Sequence, residues 1–202
     1  NVQTSEITGT ELGSNTILDS RTATAMVPKE NRNSVQRLRA EQLPTSTREF
    51  KARGAALKRC PQCLLGVEAC VCNSSKVVST DSAVCLLMYH AEYYKPSNTG
   101  QLICEVVEDN FAFRWHRTSI DPGFEQLLQD ESWLPIVIFP HDNVPESQHI
   151  HQLPENLNGK RPLYIFLDGT WRQAKKMYIK SPCLHQFPVL QISDVCKGNY
   201  QL

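Results

Sequence analysis

The sequence predicts an α/β domain built on a mainly parallel sheet, and three observations lead to this fold class. Beyond Lys76, short and almost continuous apolar runs alternate with stretches that have the apolar spacing of helices. Runs of this kind are typical of strands buried on both faces. A chain of 202 residues with 41% hydrophobic positions is also able to bury one sizeable core. Alternating strand and helix signals therefore favour parallel strands joined by helices.

Apolar runs mark the predicted strands, and amphipathic stretches between them mark the predicted helices. Ser97 is the N-cap candidate for the first of these helices, because a serine oxygen accepts a hydrogen bond from a free amide of the first turn. In the last helix we expect Trp171, Ala174 and Met177 to face inward. The predicted strands are 83–89, 111–115, 136–139, 163–167 and 189–192, and the helical stretches are 102–107, 124–128 and 171–178.

The segment upstream of the α/β pattern also has helical signals. The spacing of Val35, Leu38 and Leu43 predicts a short helix that ends at Pro44, and 47–57 predicts a second helix. The residues before it are mostly Thr, Ser, Asn and Glu, which are too polar to repay the entropy of ordering, so we expect a flexible tail. The chain thus divides into a polar tail (1–33), a helical segment with a cysteine cluster (34–76) and the α/β domain (77–202).

Charge and hydropathy restrict the location and the partners. Lys and Arg together number 21, as do Asp and Glu, so the net charge is zero and any nucleic-acid footprint has to be local. The sequence has no apolar run near the roughly 18 residues that cross a bilayer, and its start lacks the pattern of a signal peptide. We therefore expect a cytoplasmic protein with no membrane partner.

Four of the eight cysteines are spaced as metal ligands. A CxxC pair binds one ion through a tight turn, and a second close pair completes a tetrahedron of thiolates suited to Zn²⁺. Such a site is structural, because it leaves no open position for substrate. Disulfides and an iron–sulfur cluster are the alternatives. The predicted ligands are Cys60, Cys63, Cys70 and Cys72, while buried apolar positions are expected for Cys85, Cys104, Cys183 and Cys196.

Polar residues follow three of the predicted strands. In an open α/β sheet, ligands bind at the carboxyl ends of strands, so these segments are candidates for one pocket. Asp168 and Thr170 are also able to cap the helix that follows them, and Gly169 permits the sharp turn. The histidines have no ligand spacing, and we interpret the His149/His151 pair as a solvated loop. The three segments are 90–100, 140–142 and 168–171.

Two basic clusters are candidates for phosphate contacts, although either is also compatible with an ordinary solvated surface. One lies on the last predicted helix, where spacings of three and four residues place its cations along one face. The other flanks the cysteine cluster. The first consists of Arg172, Lys175, Lys176 and Lys180, and the second of Arg48, Lys51, Arg53, Lys58 and Arg59.

Several of these motifs together resemble the DTW-domain family, and more closely its bacterial tRNA-uridine aminocarboxypropyltransferases. The resemblance extends from about residue 35 to residue 202. It rests on the cysteine cluster, on Lys95-Pro96-Ser97-Asn98-Thr99-Gly100, on Phe139-Pro140, on Leu167-Asp168-Gly169-Thr170-Trp171, on Ala174-Lys175-Lys176-Met177 and on Ser181-Pro182.

The resemblance implies a SPOUT-like fold whose knotted C-terminal region binds S-adenosylmethionine. It also implies transfer of the 3-amino-3-carboxypropyl group to N3 of a tRNA uridine, with release of methylthioadenosine. Asp168 is then the candidate base for the N3 proton, or the group that holds the ligand's ammonium. The implied S-adenosylmethionine-binding residues are Ser97, Asn98, Thr99, Phe139, Pro140, Leu167, Asp168, Gly169, Thr170 and Trp171.

Other functions are compatible with the same motifs. A SPOUT-like enzyme would transfer the methyl group instead, because the geometry of the pocket selects which carbon of the sulfonium reacts. A noncatalytic zinc-dependent RNA-binding module would use the Asp168 turn only structurally. Family members continue beyond the segment that matches 199–202, so we also expect the α/β domain to be incomplete at its C-terminus.

Overall fold

A computed structural model describes residues 33–45, 57–74 and 76–192. These residues form a six-stranded sheet and four α-helices. The helices are α1 (Ser34–Gln42), α2 (Gly100–Val106), α3 (Pro122–Gln129) and α4 (Trp171–Ile179). The strands are β1 (Ala83–Met88), β2 (Asn110–Arg114), β3 (Trp133–Ile138), β4 (His149–Ile150), β5 (Arg161–Asp168) and β6 (Val189–Leu190).

Every neighbouring pair of strands is parallel, in the order β2-β1-β5-β3-β6-β4. The α/β class with a mainly parallel sheet is confirmed, and all carboxyl ends of the strands meet at one edge. Met88 on β1 is in register with Arg114 on β2 and with Asp168 on β5. Those three residues therefore lie level at that edge.

Both faces of the sheet are covered where the predicted strands are most apolar. Alternate residues of a strand point to opposite faces, and all six residues of β1 are buried. On one face, Leu87 belongs to a core that includes Phe124 of α3 and Met177 of α4. On the other face, Leu86 packs in a cluster with Cys104 of α2 and with the apolar side of α1. Burial on both faces explains why β1 reads as a continuous apolar run.

Side-chain caps set where three of the helices begin. The Asn33 side chain accepts hydrogen bonds from the amides of α1, and the Asp121 side chain does the same for α3. At the start of α4, Gln173 Oε1 accepts from both the amide and the hydroxyl of Thr170, at 2.8 and 2.9 Å. Capping of α4 thus belongs to Thr170, and Asp168 is not needed for it.

Two predictions about helix positions are wrong. Ser97 is not the N-cap of α2, because it lies in a turn closed by the hydrogen bond from the Asn98 amide to Lys95 O, outside the helix. Instead, Asn98 Oδ1 accepts a hydrogen bond from the Gln101 amide in the first turn of α2. Trp171 does not face inward, since it is 76% exposed. Trp171 lies in the first turn of α4, which extends beyond the end of β5. The side chains of α4 that pack in the core are therefore those of Ala174 and Met177.

Strand β4 was not among the predicted strands, because two residues are too few to show an alternating pattern. The remaining strands coincide with the five apolar runs to within a few residues. Part of the N-terminal prediction, including most of the polar tail and the helix at 47–57, lies outside the described residues. The knotted C-terminal region stays a prediction. Within the described ranges, none of the helices is long and apolar enough to cross a bilayer.

Candidate functional site

A cavity of about 380 Å³ opens at the carboxyl edge of the sheet, beside the ends of β3, β5 and β6. The apolar residues Phe139 and Leu167 contribute to its wall, and the first turn of α4 forms its rim. Concave sites of this size at the carboxyl ends of parallel strands are typical ligand sites. Six of the ten predicted S-adenosylmethionine-binding residues line it: Phe139, Pro140, Leu167, Gly169, Thr170 and Trp171.

The turn from β5 into α4 is tightly packed at Gly169. A Cβ atom at this position would lie 3.1 Å from the Cβ of Gln173 and 3.3 Å from the Cβ of Tyr89. A side chain at this position would therefore press on Gln173 and Tyr89, so glycine is favoured by the close approach of neighbouring residues rather than by an unusual backbone angle. The turn at the rim of the cavity therefore packs closely against Tyr89, the first residue after β1.

Asp168 lies next to this cavity and points away from the α4 side of the sheet. Because residues alternate along β5, its side chain shares the face of α2, where Asn98 Nδ2 donates a hydrogen bond of 2.7 Å to Asp168 Oδ2. Burial raises the pKa of Asp168, the Asn98 hydrogen bond opposes this rise, and Glu92 adds to it. Asp168 is thus a desolvated carboxylate with one side-chain donor.

A second acidic group belongs to the same neighbourhood. Glu92 is only 7% exposed and forms an ion pair of 2.5 Å with Lys95. The loop between β1 and α2 therefore brings a buried acid–lysine pair and the Asn98 amide toward the end of β5. Ser97 and Thr99, in contrast, are exposed and neither lines the cavity.

Gly100 allows helix α2 to approach the end of β5. A Cβ atom there would lie 2.9 Å from Leu86 Cδ1 and 3.3 Å from Asp168 Oδ2. A larger residue would push α2 away from the strand and disturb the Asn98–Asp168 pair. The small residue is thus part of the geometry that desolvates Asp168.

The four predicted zinc ligands come together in one cluster, with their sulfur atoms within 4.8 Å of one another. The Cys60–Cys72 and Cys63–Cys70 sulfur pairs are 3.7 and 3.8 Å apart. Tetrahedral Zn²⁺ with Zn–S bonds of about 2.3 Å requires sulfur–sulfur edges of about 3.8 Å. The residues present therefore fit a structural zinc ion, which would cross-link the two halves of the cluster.

Backbone amides favour the thiolate form of Cys60, whereas burial raises the pKa of Cys72. Hydrogen bonds from the amides of Cys63 and Gln62 lower the pKa of Cys60 to about 6. The turn is attached to helices α1 and α2, because Gln101 Nε2 donates to Cys63 O at 3.0 Å and Gln36 Nε2 donates to Gln62 O. Outside the cluster, Cys85 and Cys104 are buried, Cys183 is half-buried, and Cys196 lies outside the described residues.

The basic residues of α4 are exposed, as expected for a surface that contacts a polyanion or solvent. Of the second cluster, Lys58 is exposed, and Arg59 Nη1 donates to Leu64 O within the cysteine turn at 3.0 Å. The other three cations of that cluster, Arg48, Lys51 and Arg53, lie outside the described residues.

The histidines form a group that their spacing does not reveal. The rings of His141 and His149 stack with centroids 3.9 Å apart, and the His151 ring meets His141 edge-on at 5.4 Å. His149 is half-buried in β4, so the interpretation of this pair as a solvated loop is wrong for His149, although His151 is exposed. Pairing of β4 with β6 brings the rings together.

Fold and site together define an α/β protein with a ligand cavity at the carboxyl edge of a parallel sheet and a cysteine cluster fit for zinc. The DTW domain model matches residues 57–202, well over half of the chain. The chain therefore belongs to the DTW-domain family, a family associated with tRNA-modifying enzymes. No solved structure matches the chain significantly.

Proposed function

We propose that this protein transfers the 3-amino-3-carboxypropyl group of S-adenosylmethionine to N3 of a tRNA uridine. The observation that carries the proposal is the end of β5, where the cavity and the half-buried Asp168 carboxylate adjoin. Leu167 and Gly169, the neighbours of Asp168 on either side, both line the cavity. A ligand in the cavity and the Asp168 carboxylate would therefore meet at the same end of β5, the carboxylate approaching from the α2 face. We also expect the enzyme to work in the cytoplasm.

In this proposal Asp168 takes the proton from uridine N3. The N3–carbon bond forms as the bond between that carbon and the sulfonium sulfur breaks, and methylthioadenosine leaves. A carboxylate with a raised pKa suits the role of base, because it binds a proton more strongly than a solvated one. Asn98 would keep the carboxylate oriented through its 2.7 Å hydrogen bond. The same carboxylate would alternatively hold the ammonium group of the ligand.

The walls of the cavity would select the reacting carbon. Phe139, Pro140 and Leu167 offer apolar surface for an adenine ring, and Thr170 and Trp171 lie at the rim where the amino-acid end would be held. Ser97 and Thr99 would reach such a ligand only from the neighbouring loop. Zn²⁺ held by the four cysteines would have a structural role. The exposed cations of α4 would contact the phosphates of tRNA.

The test is Asp168→Asn, which keeps the shape and an acceptor for Asn98. We expect transfer to tRNA to fall at least about 100-fold, within the range that a general base contributes. Calorimetry with S-adenosylmethionine separates the two roles of Asp168: unchanged affinity indicates the base, and lost affinity indicates the ammonium contact. Wild-type turnover by the variant would exclude both roles.

Mass spectrometry of the reacted tRNA distinguishes the proposed reaction from its alternatives. A mass gain of one aminocarboxypropyl group with methylthioadenosine as co-product supports the proposal. A methyl gain with S-adenosylhomocysteine would show a methyltransferase instead. If the protein binds RNA and zinc but no S-adenosylmethionine, it is a noncatalytic binding module.

A further inference from the structure

A second cavity, of about 420 Å³, opens at the same edge of the sheet on the side of β1 and β2. Its apolar part includes Leu87, Phe124 and Pro182, and its rim includes Arg117 and Lys180. The loop after β2 and the segment after α4 enclose it. Lys180 and the Ser181-Pro182 motif of the sequence analysis line this cavity, but the sequence does not reveal that they meet the loop after β2, which lies more than fifty positions earlier in the chain.

The rim of this cavity carries two exposed positive charges that a bound ligand could contact. Arg117 and Lys180 are exposed, and in the described ranges neither forms an ion pair. Of the acidic groups that line the cavity, Asp121 is occupied as the cap of α3, where it accepts from the amides of Gly123 and Phe124. Glu125 is the other, in the first turn of α3. Arg114 also lines the cavity, so three side-chain cations face the two carboxylates of Asp121 and Glu125, a balance that favours an anionic ligand.

Trp115 makes one wall of the cavity rigid and aromatic. One side of its indole stacks on Tyr89, with ring centroids 5.5 Å apart, and its Nε1 donates to Ser181 Oγ at 2.9 Å. The residue is 8% exposed. A fixed aromatic wall next to paired cations is what proteins use to bind an unstacked base and its phosphate.

The cavity opens at the edge of the sheet where β5 ends in Asp168, although the Asp168 side chain lies on the α2 face and the cavity lies on the α3 face. Arg114, which precedes Trp115, is level with Met88, and Met88 is level with Asp168. Two strand spacings therefore separate the start of this wall from Asp168, roughly 10 Å. The two cavities flank the end of β5, one on each side.

We infer that this second cavity holds one unstacked nucleotide of the RNA substrate, with its base against the Trp115 wall and its phosphate on Arg117 and Lys180. The inference rests on the proposed function, to which it adds the substrate subsite. It explains how an overall neutral chain binds RNA locally. Extruding a nucleotide into a shaped pocket is also the usual way in which enzymes reach an atom of a paired or stacked base.

The three tryptophans of the chain provide the test, because each indole N–H gives its own NMR signal. The Trp115 signal reports on the second cavity, and the Trp171 signal reports on the cavity beside β3 and β5. Trp133 is the internal control, because its ring is packed in the core against Phe111 and Arg161. We expect uridine 5′-monophosphate to shift the Trp115 signal saturably and uridine without phosphate to do so more weakly. S-adenosylmethionine should shift Trp171.

The double variant Arg117→Ala/Lys180→Ala should lose the Trp115 response to the nucleotide. Its affinity for tRNA should fall about tenfold or more, and the slope of log K against log salt should decrease by about 0.7 to 0.9, as for one lost phosphate contact. Lys76→Ala/Lys160→Ala removes two cations near the opposite edge of the sheet and is the matched control. Circular dichroism establishes that both variants are folded.

Each outcome supports or overturns the inference separately from the proposed function. A nucleotide that shifts Trp171 but not Trp115, or equal tRNA affinity in both double variants, overturns the inference while group transfer to tRNA stands. If no group is transferred but the Trp115 response and its loss in the variant are seen, the proposed function fails and the nucleotide site stands. No Trp115 response to either nucleotide or tRNA also overturns the inference.

Discussion

Replacement of Asn98 by alanine is the most informative single change, because this side chain connects the proposed catalytic group to helix α2. Its Nδ2 donates to Asp168 Oδ2 at 2.7 Å, and its Oδ1 accepts from the Gln101 amide at 3.2 Å. Alanine removes both interactions at a position that is 9% exposed, where water replaces them poorly. Stability and the titration of Asp168 should therefore change together.

The magnitude follows from the two lost hydrogen bonds. A hydrogen bond to a charged group contributes about 1.5–3 kcal/mol, and a side-chain cap contributes about 1 kcal/mol. Because Asp168 is half-buried rather than fully enclosed, the lower part of the sum applies, a loss of about 2.5–3 kcal/mol in the free energy of unfolding at neutral pH. Thr99→Ala is the control, since Thr99 makes no side-chain cap hydrogen bond, and it should change stability by less than about 0.5 kcal/mol.

The pH dependence has a definite sign. Asn98 holds the pKa of Asp168 down against the effect of burial, so the variant should have a higher Asp168 pKa than the wild type. The lost hydrogen bond stabilises the ionised carboxylate, so the stability difference should be largest above that pKa and shrink as the pH falls below it. Urea unfolding over a pH series and carbon-13 NMR of the Asp168 carboxyl measure both quantities. An unchanged or lowered pKa, or a loss no larger than that of Thr99→Ala, would refute the reasoning.

Three further predictions concern the site and the cysteine cluster. Gly100→Ala places a Cβ atom 2.9 Å from Leu86 Cδ1, so thermal melts should show a destabilisation of about 1–3 kcal/mol; an unchanged melting temperature would mean that α2 shifts freely. Trp171→Ala should leave stability within about 0.5 kcal/mol because the side chain is 76% exposed, while calorimetry should show weaker binding of S-adenosylmethionine; unchanged binding would remove Trp171 from the ligand site. Metal analysis should find zinc in the wild type and in Cys183→Ser but not in Cys63→Ser, whose melting temperature should fall; equal zinc content in both variants would contradict the four-cysteine site.

Local features of this chain were predictable because they depend on neighbouring residues. The apolar run at 83–89 predicts β1, since only a strand buried on both faces needs every residue to be apolar. The thirteen positions from Cys60 to Cys72 contain the complete metal cluster, so spacing alone identified it. The short turn from Asp168 to Trp171 likewise carries its own signals, a glycine and a capping threonine.

The strand order was not predictable in the same way, and the most specific features of the site depend on it. Strand β5 lies between β1 and β3, and this insertion places Asp168 beside Asn98, seventy positions earlier in the chain. The alternation of side chains along β5 puts Leu167 and Asp168 on opposite faces, so that Leu167 lines the cavity and Asp168 does not. Ser97 was predicted to cap α2 on its residue type, but a turn at Asn98 excludes it from the helix.

The sequence by itself thus determined the α/β class, the four cysteines that could hold a metal ion and the segments that end at the carboxyl edge, because periodicity, spacing and turn chemistry act over a few residues. Only the tertiary structure decided which groups meet there. It paired Asp168 with Asn98, stacked His141 on His149, left Trp171 exposed and brought Arg117 and Lys180 to one cavity. These contacts join distant segments, and their free energy comes from burial and desolvation that exist only once the sheet has formed.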